Sequence, residues 1–206
     1  MIKIAYIDEE AGWQSIAYSA LSDKYEMLIP EGMPQNISEI WAEVQETQIA
    51  IIDYRLNGNG LVAYTGDDVA REIHKHNKHF PVIIITSFED NAIQESTEVQ
   101  VIRGKDMLTS PEMIQRLSYM IDSAVSSYDR RKKESEECIL RCQEKVATGT
   151  LLTRDEESDR FNAELYISEL DLDSSLRQNL IFSPGTLKSL EEMLTLARQI
   201  VNDSQK

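Results

Sequence analysis

Four places in this 206-residue chain carry side chains that could do chemistry together. Three acids, Asp8, Glu9 and Glu10, close the apolar run IAYI. A lone acid, Asp53, ends a second run, IAIID. Two hydroxyls, Thr86 and Ser87, end a third, PVIII, and Lys105 follows a fourth, VQVIRG. Singly, each has an ordinary role: a solvated acid, a hydroxyl satisfying a backbone amide, a surface lysine. Jointly they form a set of hard oxygen ligands with one ammonium. Mg2+ prefers such a set, with one or two carboxylates, a carbonyl and several waters. A carboxylate beside that ion can attack a phosphoryl donor as a covalent nucleophile. The lysine and a hydroxyl would then neutralise and hydrogen-bond the phosphoryl oxygens.

The elements that must position these residues are legible from periodicity. Residues 2–7, 25–29, 49–53, 81–86 and 99–104 are short apolar runs with β propensity. Between them lie stretches with apolar residues at helical spacing. One covers 11–22, with Trp13, Ile16, Ala17, Ala20 and Leu21. A second, capped by Asn36 or Ser38, carries Ile37, Ile40, Trp41 and Val44. A third covers 67–78, with Val69, Ala70 and Ile73 inward. A short polar helix is expected at about 89–97. Ser110-Pro111-Glu112 starts a fifth, with proline at the first helical position and Met113, Ile114, Leu117, Ile121 and Ala124 on its apolar face. Strands that are apolar throughout belong to parallel sheets covered on both faces. The expected fold is α/β: a flavodoxin-like, doubly wound, five-stranded parallel sheet, (βα)5, followed by an all-α C-terminal extension. In such sheets the site lies beyond the carboxyl ends of the strands, at the switch point of the winding order. Every residue singled out above falls at such an end.

Residues 1 to about 128 resemble the receiver domain of two-component response regulators. The family's acid pair falls on Asp8 and Glu9, its phosphoacceptor on Asp53, its switch hydroxyl on Thr86 and its lysine on Lys105. The resemblance implies Mg2+ held by Asp8, Glu9, Asp53 and the backbone carbonyl of Arg55. It implies that Asp53 takes phosphate from a histidine kinase or phosphotransfer protein, and that Thr86 and Lys105 sense it. It implies no enzyme beyond a phosphoacceptor with at most self-dephosphorylation. The sequence departs from the family at several places. Leu56-Asn57 stands where a proline is usual. Gly66 matches the family's loop glycine, which leaves about five extra residues around Asn57-Gly58-Asn59-Gly60. The stretch from Thr86 to Lys105 is about three residues short. Ile102 replaces the aromatic switch residue, and Asp106 replaces the proline after the lysine. All these changes lie outside the chemical set. They leave open a pseudo-receiver scaffold that is not phosphorylated.

After Pro111 there is no proline or glycine as far as Val146. A continuous helix of about 37 residues would span roughly 55 Å. The expected divisions are 1–128, a helical linker 129–150 that continues this helix, and a small helical interaction or dimerisation module 151–206. In that module Thr153 and Glu156 form a capping box. Phe161, Leu165, Ile167 and Leu170 ride on the helix that follows. A last helix is expected from Ser183 or Thr186, burying Leu187, Leu190, Met193, Leu194, Ala197 and Val201.

Net charge is −15. Nucleic-acid binding rests on phosphate neutralisation, so the acidity argues against DNA. Residues 151–206 hold 6 Lys/Arg against 11 Asp/Glu and show no basic recognition face. A transcription regulator with an unrecognised DNA-binding surface is the alternative this disfavours. The extension would engage a protein effector or a second copy. No apolar run reaches the roughly 18 residues of a membrane span, and the N-terminal run lacks the basic flank of a secretory signal. A cytoplasmic protein is therefore expected. Cys138 and Cys142 would be reduced thiols, and His74, His76 and His79 solvated polar surface. Trp13 and Trp41 are expected in the core.

Overall fold

The computed structural model describes residues 1–87 and 101–170. The short helix expected at 89–97, residues 99–100 of the expected fifth strand and the helix expected across 183–201 lie outside these residues. The chain divides into two compact units, with the boundary between Arg130 and Arg131.

The first unit holds β1 (Lys3–Ile7), α1 (Ala11–Leu21), β2 (Glu26–Leu28), α2 (Ile40–Val44), β3 (Ile49–Asp53), α3 (Gly66–His76), β4 (Val82–Thr86) and β5 (Ile102–Gly104). All strand pairs are parallel, in the order β2-β1-β3-β4-β5. That is the flavodoxin-like winding, whose switch point lies between β1 and β3. The expected α/β class and sheet are thus observed. Alternation along the strands splits the core in two. Ala5, Ile7, Ala50, Ile52 and Ile84 pack with Ile40, Val44, Val69 and Ile73 of α2 and α3. Ile4, Tyr6, Ile49, Ile51, Ile83 and Ile85 pack on the other face with Ala17 and Leu21 of α1 and with Leu117 and Ile121.

Local chemistry sets the helix boundaries. The Asn36 side chain accepts from Ser38 N–H, but this cap opens a single 3-10 turn, Ile37–Glu39, so α2 is only five residues long. At α3 the Thr65 and Asp68 side chains cap each other's backbone amides. Helix α4 runs from Pro111 to Ala147, 37 residues. It ends where Gly149 takes φ +79° and Thr150 N–H reaches back to Lys145 O at 3.1 Å, a left-handed C-terminal cap. No described helix is long and apolar enough to cross a membrane.

In the second unit, the last part of α4 packs on α5 (Arg154–Ser168). Glu156 bridges them: its carboxylate accepts from Thr153 N–H at 2.8 Å and pairs with Lys145 at 2.6 Å. The Arg131 guanidinium lies 4.9 Å from the Tyr166 ring centroid. Ile139 and Cys142 of α4, and Ala163, Tyr166, Ile167 and Leu170, are buried. Phe161 and Leu165 of the same helix are exposed, at 65% and 48%. They lie on the opposite side of α5 from Ala163 and Ile167.

Candidate functional site

The sheet register builds the site. Ile7 pairs with Ile52, so the next residues along, Asp8 and Asp53, emerge side by side. Asp53 pairs with Ile85, and Thr86 with Gly104, the residue before Lys105. Four of the sequence-derived candidates therefore meet at one end of the sheet. All four are buried: Asp8 is 1% exposed, Asp53 3%, Thr86 1% and Lys105 3%.

Lys105 Nζ lies 2.8 Å from Asp8 Oδ2 and 3.0 Å from Asp53 Oδ2. Carboxylate oxygens of Asp8, Glu9 and Asp53 come within 4.8 Å of one another. Two buried oxygens of these side chains, Asp53 Oδ1 and Glu9 Oε2, have no hydrogen-bond partner. A buried, unpartnered carboxylate oxygen is costly. Two in one carboxylate cluster are what a bound divalent cation would repair, so the donor set fits Mg2+. Burial raises the Asp53 carboxyl above its usual range; Lys105 opposes the rise and the Asp8 charge adds to it. Glu9 is also raised, first by burial. For Lys105, burial pulls the ammonium down, but its hydrogen bond to Asp8 and the charges of Asp53 and Asp8 outweigh that and hold it above its usual value.

Two glycines shape the loop after β3. A β-carbon on Gly66 would collide with the Asp53 carbonyl oxygen and stand 2.9 Å from its carbon. Gly66 N–H donates to Tyr54 O at 2.8 Å, so α3 starts hard against the backbone that carries Asp53. A β-carbon on Gly58 would stand 3.0 Å from Glu9 Oε1 and 3.5 Å from the Arg55 carbonyl oxygen. The extra loop residues thus pass beside Glu9, and the Arg55 carbonyl lies near the same carboxylate.

Two residues in the cleft were read from the sequence only as packing. Tyr6 donates its hydroxyl to Asp8 Oδ2 at 2.9 Å. Burial, and then the Asp8 charge, push its phenol far above the ordinary range, so it stays a neutral donor. Trp13, expected in the core, is only half-buried, and its ring lies 5.1 Å from Lys105 Nζ, a cation–π distance. Strand parity offered one sign of the first contact, since residues 6 and 8 point to the same side. Glu10 contributes its backbone: its N–H donates to Asp8 Oδ1 at 3.0 Å. Ile102 is 5% exposed and belongs to the core. The histidines are not simply solvated. His74 lies 3.0 Å from Phe80 O, and His76 stacks on Trp41 at 5.3 Å.

No family model matches the chain, and no curated protein matches it significantly. Among solved structures, it is similar to the N-terminal domain of a response regulator/sensory box/GGDEF protein from Carboxydothermus hydrogenoformans. There the identity is 16%, over 62% of this chain and 97% of that one, with a TM-score of 0.48. For a response regulator receiver domain protein from Clostridium thermocellum the values are 23%, 63%, 98% and 0.46. For NtrX from Brucella abortus they are 18%, 65%, 29% and 0.47, so this chain spans less than a third of that protein.

Proposed function

We propose that residues 1 to about 128 are the receiver domain of a response regulator, with Asp53 as phosphoacceptor. The observation that carries this reading is one buried ammonium bridging two carboxylates, Asp8 and Asp53, beside two unpartnered carboxylate oxygens. Asp8, Glu9, Asp53 and the Arg55 carbonyl would hold Mg2+. When bound, that ion supplies positive charge to phosphoryl oxygens.

The chain's own residues account for the rest. An oxygen of the Asp53 carboxylate attacks the phosphorus of a phosphohistidine on a kinase or phosphotransfer protein. The P–O bond forms, the P–N bond breaks, and the departing imidazole takes up a proton. Lys105 turns its ammonium from Asp53 Oδ2 to a phosphoryl oxygen, and the Thr86 hydroxyl donates to another. Hydrolysis of the acyl phosphate returns Asp53, so any activity is limited to self-dephosphorylation. The acidic helical extension passes the signal to a protein effector or a second copy rather than to DNA, and the protein works in the cytoplasm.

A second reading has one observation in its favour. Ile102 fills the core position where the family's aromatic residue would swing, so the fold could serve as a scaffold that is not switched by phosphate. Acetyl phosphate separates the two. With Mg2+, intact mass should rise by about 80 Da, the mass of one phosphoryl group, and neither EDTA-treated protein nor Asp53→Asn should gain it. No gain on the wild-type chain would favour the scaffold.

A further inference from the structure

Tyr6 takes no part in the phosphoryl chemistry above, yet its hydroxyl reaches into the cleft. Its ring is fully buried among Ile4, Ile51, Ile85 and Ala17. An aliphatic side chain could fill such a place in a parallel sheet without bringing a polar atom. A buried phenol needs a partner, and here the partner is Asp8 Oδ2.

Asp8 is held through all three of its oxygens. Oδ2 takes the Tyr6 hydroxyl at 2.9 Å and Lys105 Nζ at 2.8 Å. Oδ1 takes the Glu10 N–H at 3.0 Å, and the Asp8 carbonyl takes Gln14 Nε2 at 2.7 Å. A carboxylate has about four lone-pair sites. Those on Oδ2 are filled, and one on Oδ1 remains open. The two holders of Oδ2 differ in stiffness. Lys105 sits on a flexible four-carbon stem and has a second duty at the phosphoryl group. Tyr6 has only two rotatable angles, and its ring is locked in the core.

We propose that Tyr6 is a positioning residue for the cation site: its hydroxyl clamps Asp8 through Oδ2, so that Oδ1 is the ligand atom offered beside Glu9 and Asp53. It holds that orientation when Lys105 turns away. This rests on reading the three carboxylates as an Mg2+ site. Outer-shell partners of metal ligands act in this way, and their loss typically weakens binding 10- to 100-fold.

The test is calorimetric titration of the full chain with MgCl2, for wild type, Asp53→Asn, Tyr6→Phe and Tyr6→Leu. Urea unfolding in EDTA runs in parallel. Tyr6→Phe keeps the ring and its packing and removes only the hydroxyl. It should bind Mg2+ about 10-fold more weakly than wild type while keeping a native circular dichroism spectrum. Tyr6→Leu should show the same loss. A purely structural tyrosine gives the opposite split: a lower unfolding midpoint with Mg2+ affinity within about two-fold of wild type. That result overturns the inference and leaves the metal site standing. If wild type itself shows no saturable binding that Asp53→Asn abolishes, the metal reading falls, and the role of Tyr6 falls with it.

Discussion

Replacing Lys105 by methionine removes the one cation between Asp8 and Asp53 and keeps nearly the same volume. At an effective dielectric of about 20, unit charges at the observed separations of 2.8 and 3.0 Å attract by about 6 kcal/mol each. Burying an ammonium costs several kcal/mol and offsets much of that. What decides the result is the residue left behind: two buried carboxylates with nothing between them. Breaking a buried pair in this way costs about 3–5 kcal/mol, a large part of the roughly 5–15 kcal/mol that holds a domain together. The cost must depend on pH. The Asp53 carboxyl is already raised by burial, and Lys105 is what opposes the rise. Without Lys105 it rises further, so the folded state binds a proton that the unfolded chain does not. Stability then increases as pH falls from the raised value towards the ordinary carboxylate range. Urea unfolding in EDTA should therefore show a deficit against wild type of about 3–5 kcal/mol at neutral pH, shrinking as the pH approaches about 5. Mg2+ at a hundred times its dissociation constant should add about 2.7 kcal/mol to the folded state by mass action. A deficit below about 1 kcal/mol, or one that does not change with pH, would refute the claim that Lys105 neutralises a buried acid pair.

Two further outcomes follow from the geometry. Gly66→Ala drives a β-carbon into the Asp53 carbonyl oxygen, a backbone atom that cannot swing aside as a flexible side chain would. It should cost about 1–3 kcal/mol or more in urea unfolding and weaken Mg2+ binding through the displaced Asp53. In the second unit, the Lys145 ammonium and the Thr153 N–H hold the Glu156 carboxyl down from 4.5 to about 2. A depressed carboxyl stabilises the fold above its ordinary value, and that contribution is lost as pH falls towards about 2. Helicity followed by circular dichroism should decline across that window in wild type. Glu156→Gln should start lower at neutral pH and change less.

The sheet was readable because each strand is a short apolar run stopped by a polar residue, and β3 runs from Ile49 to Asp53 as expected. The site was readable because its members sit on those stops. The register then brings Asp8, Asp53, Thr86 and Lys105 to one end. Periodicity reports which face a residue takes, not what the tip of its side chain touches. For that reason Tyr6 read as one more core residue, and Trp13 as core rather than as the ring beside Lys105. Phe161 and Leu165 share helical spacing with each other but not with Ile167, and it is the Ile167 side of α5 that is buried. At α2 the cap was legible in Asn36, but the length was not, because a 3-10 turn and an α-helix carry the same apolar spacing over so few residues.

The most direct test of the central claim is where the phosphoryl group goes. After reaction with acetyl phosphate and Mg2+, peptide mass spectrometry should place one phosphoryl group on the peptide that carries Asp53. Hydroxylamine should release it, because an acyl phosphate yields to that nucleophile and a phosphoester does not. A hydroxylamine-stable phosphate on Thr86 or Ser87, or a full phosphoryl yield from Asp53→Asn, would contradict the account.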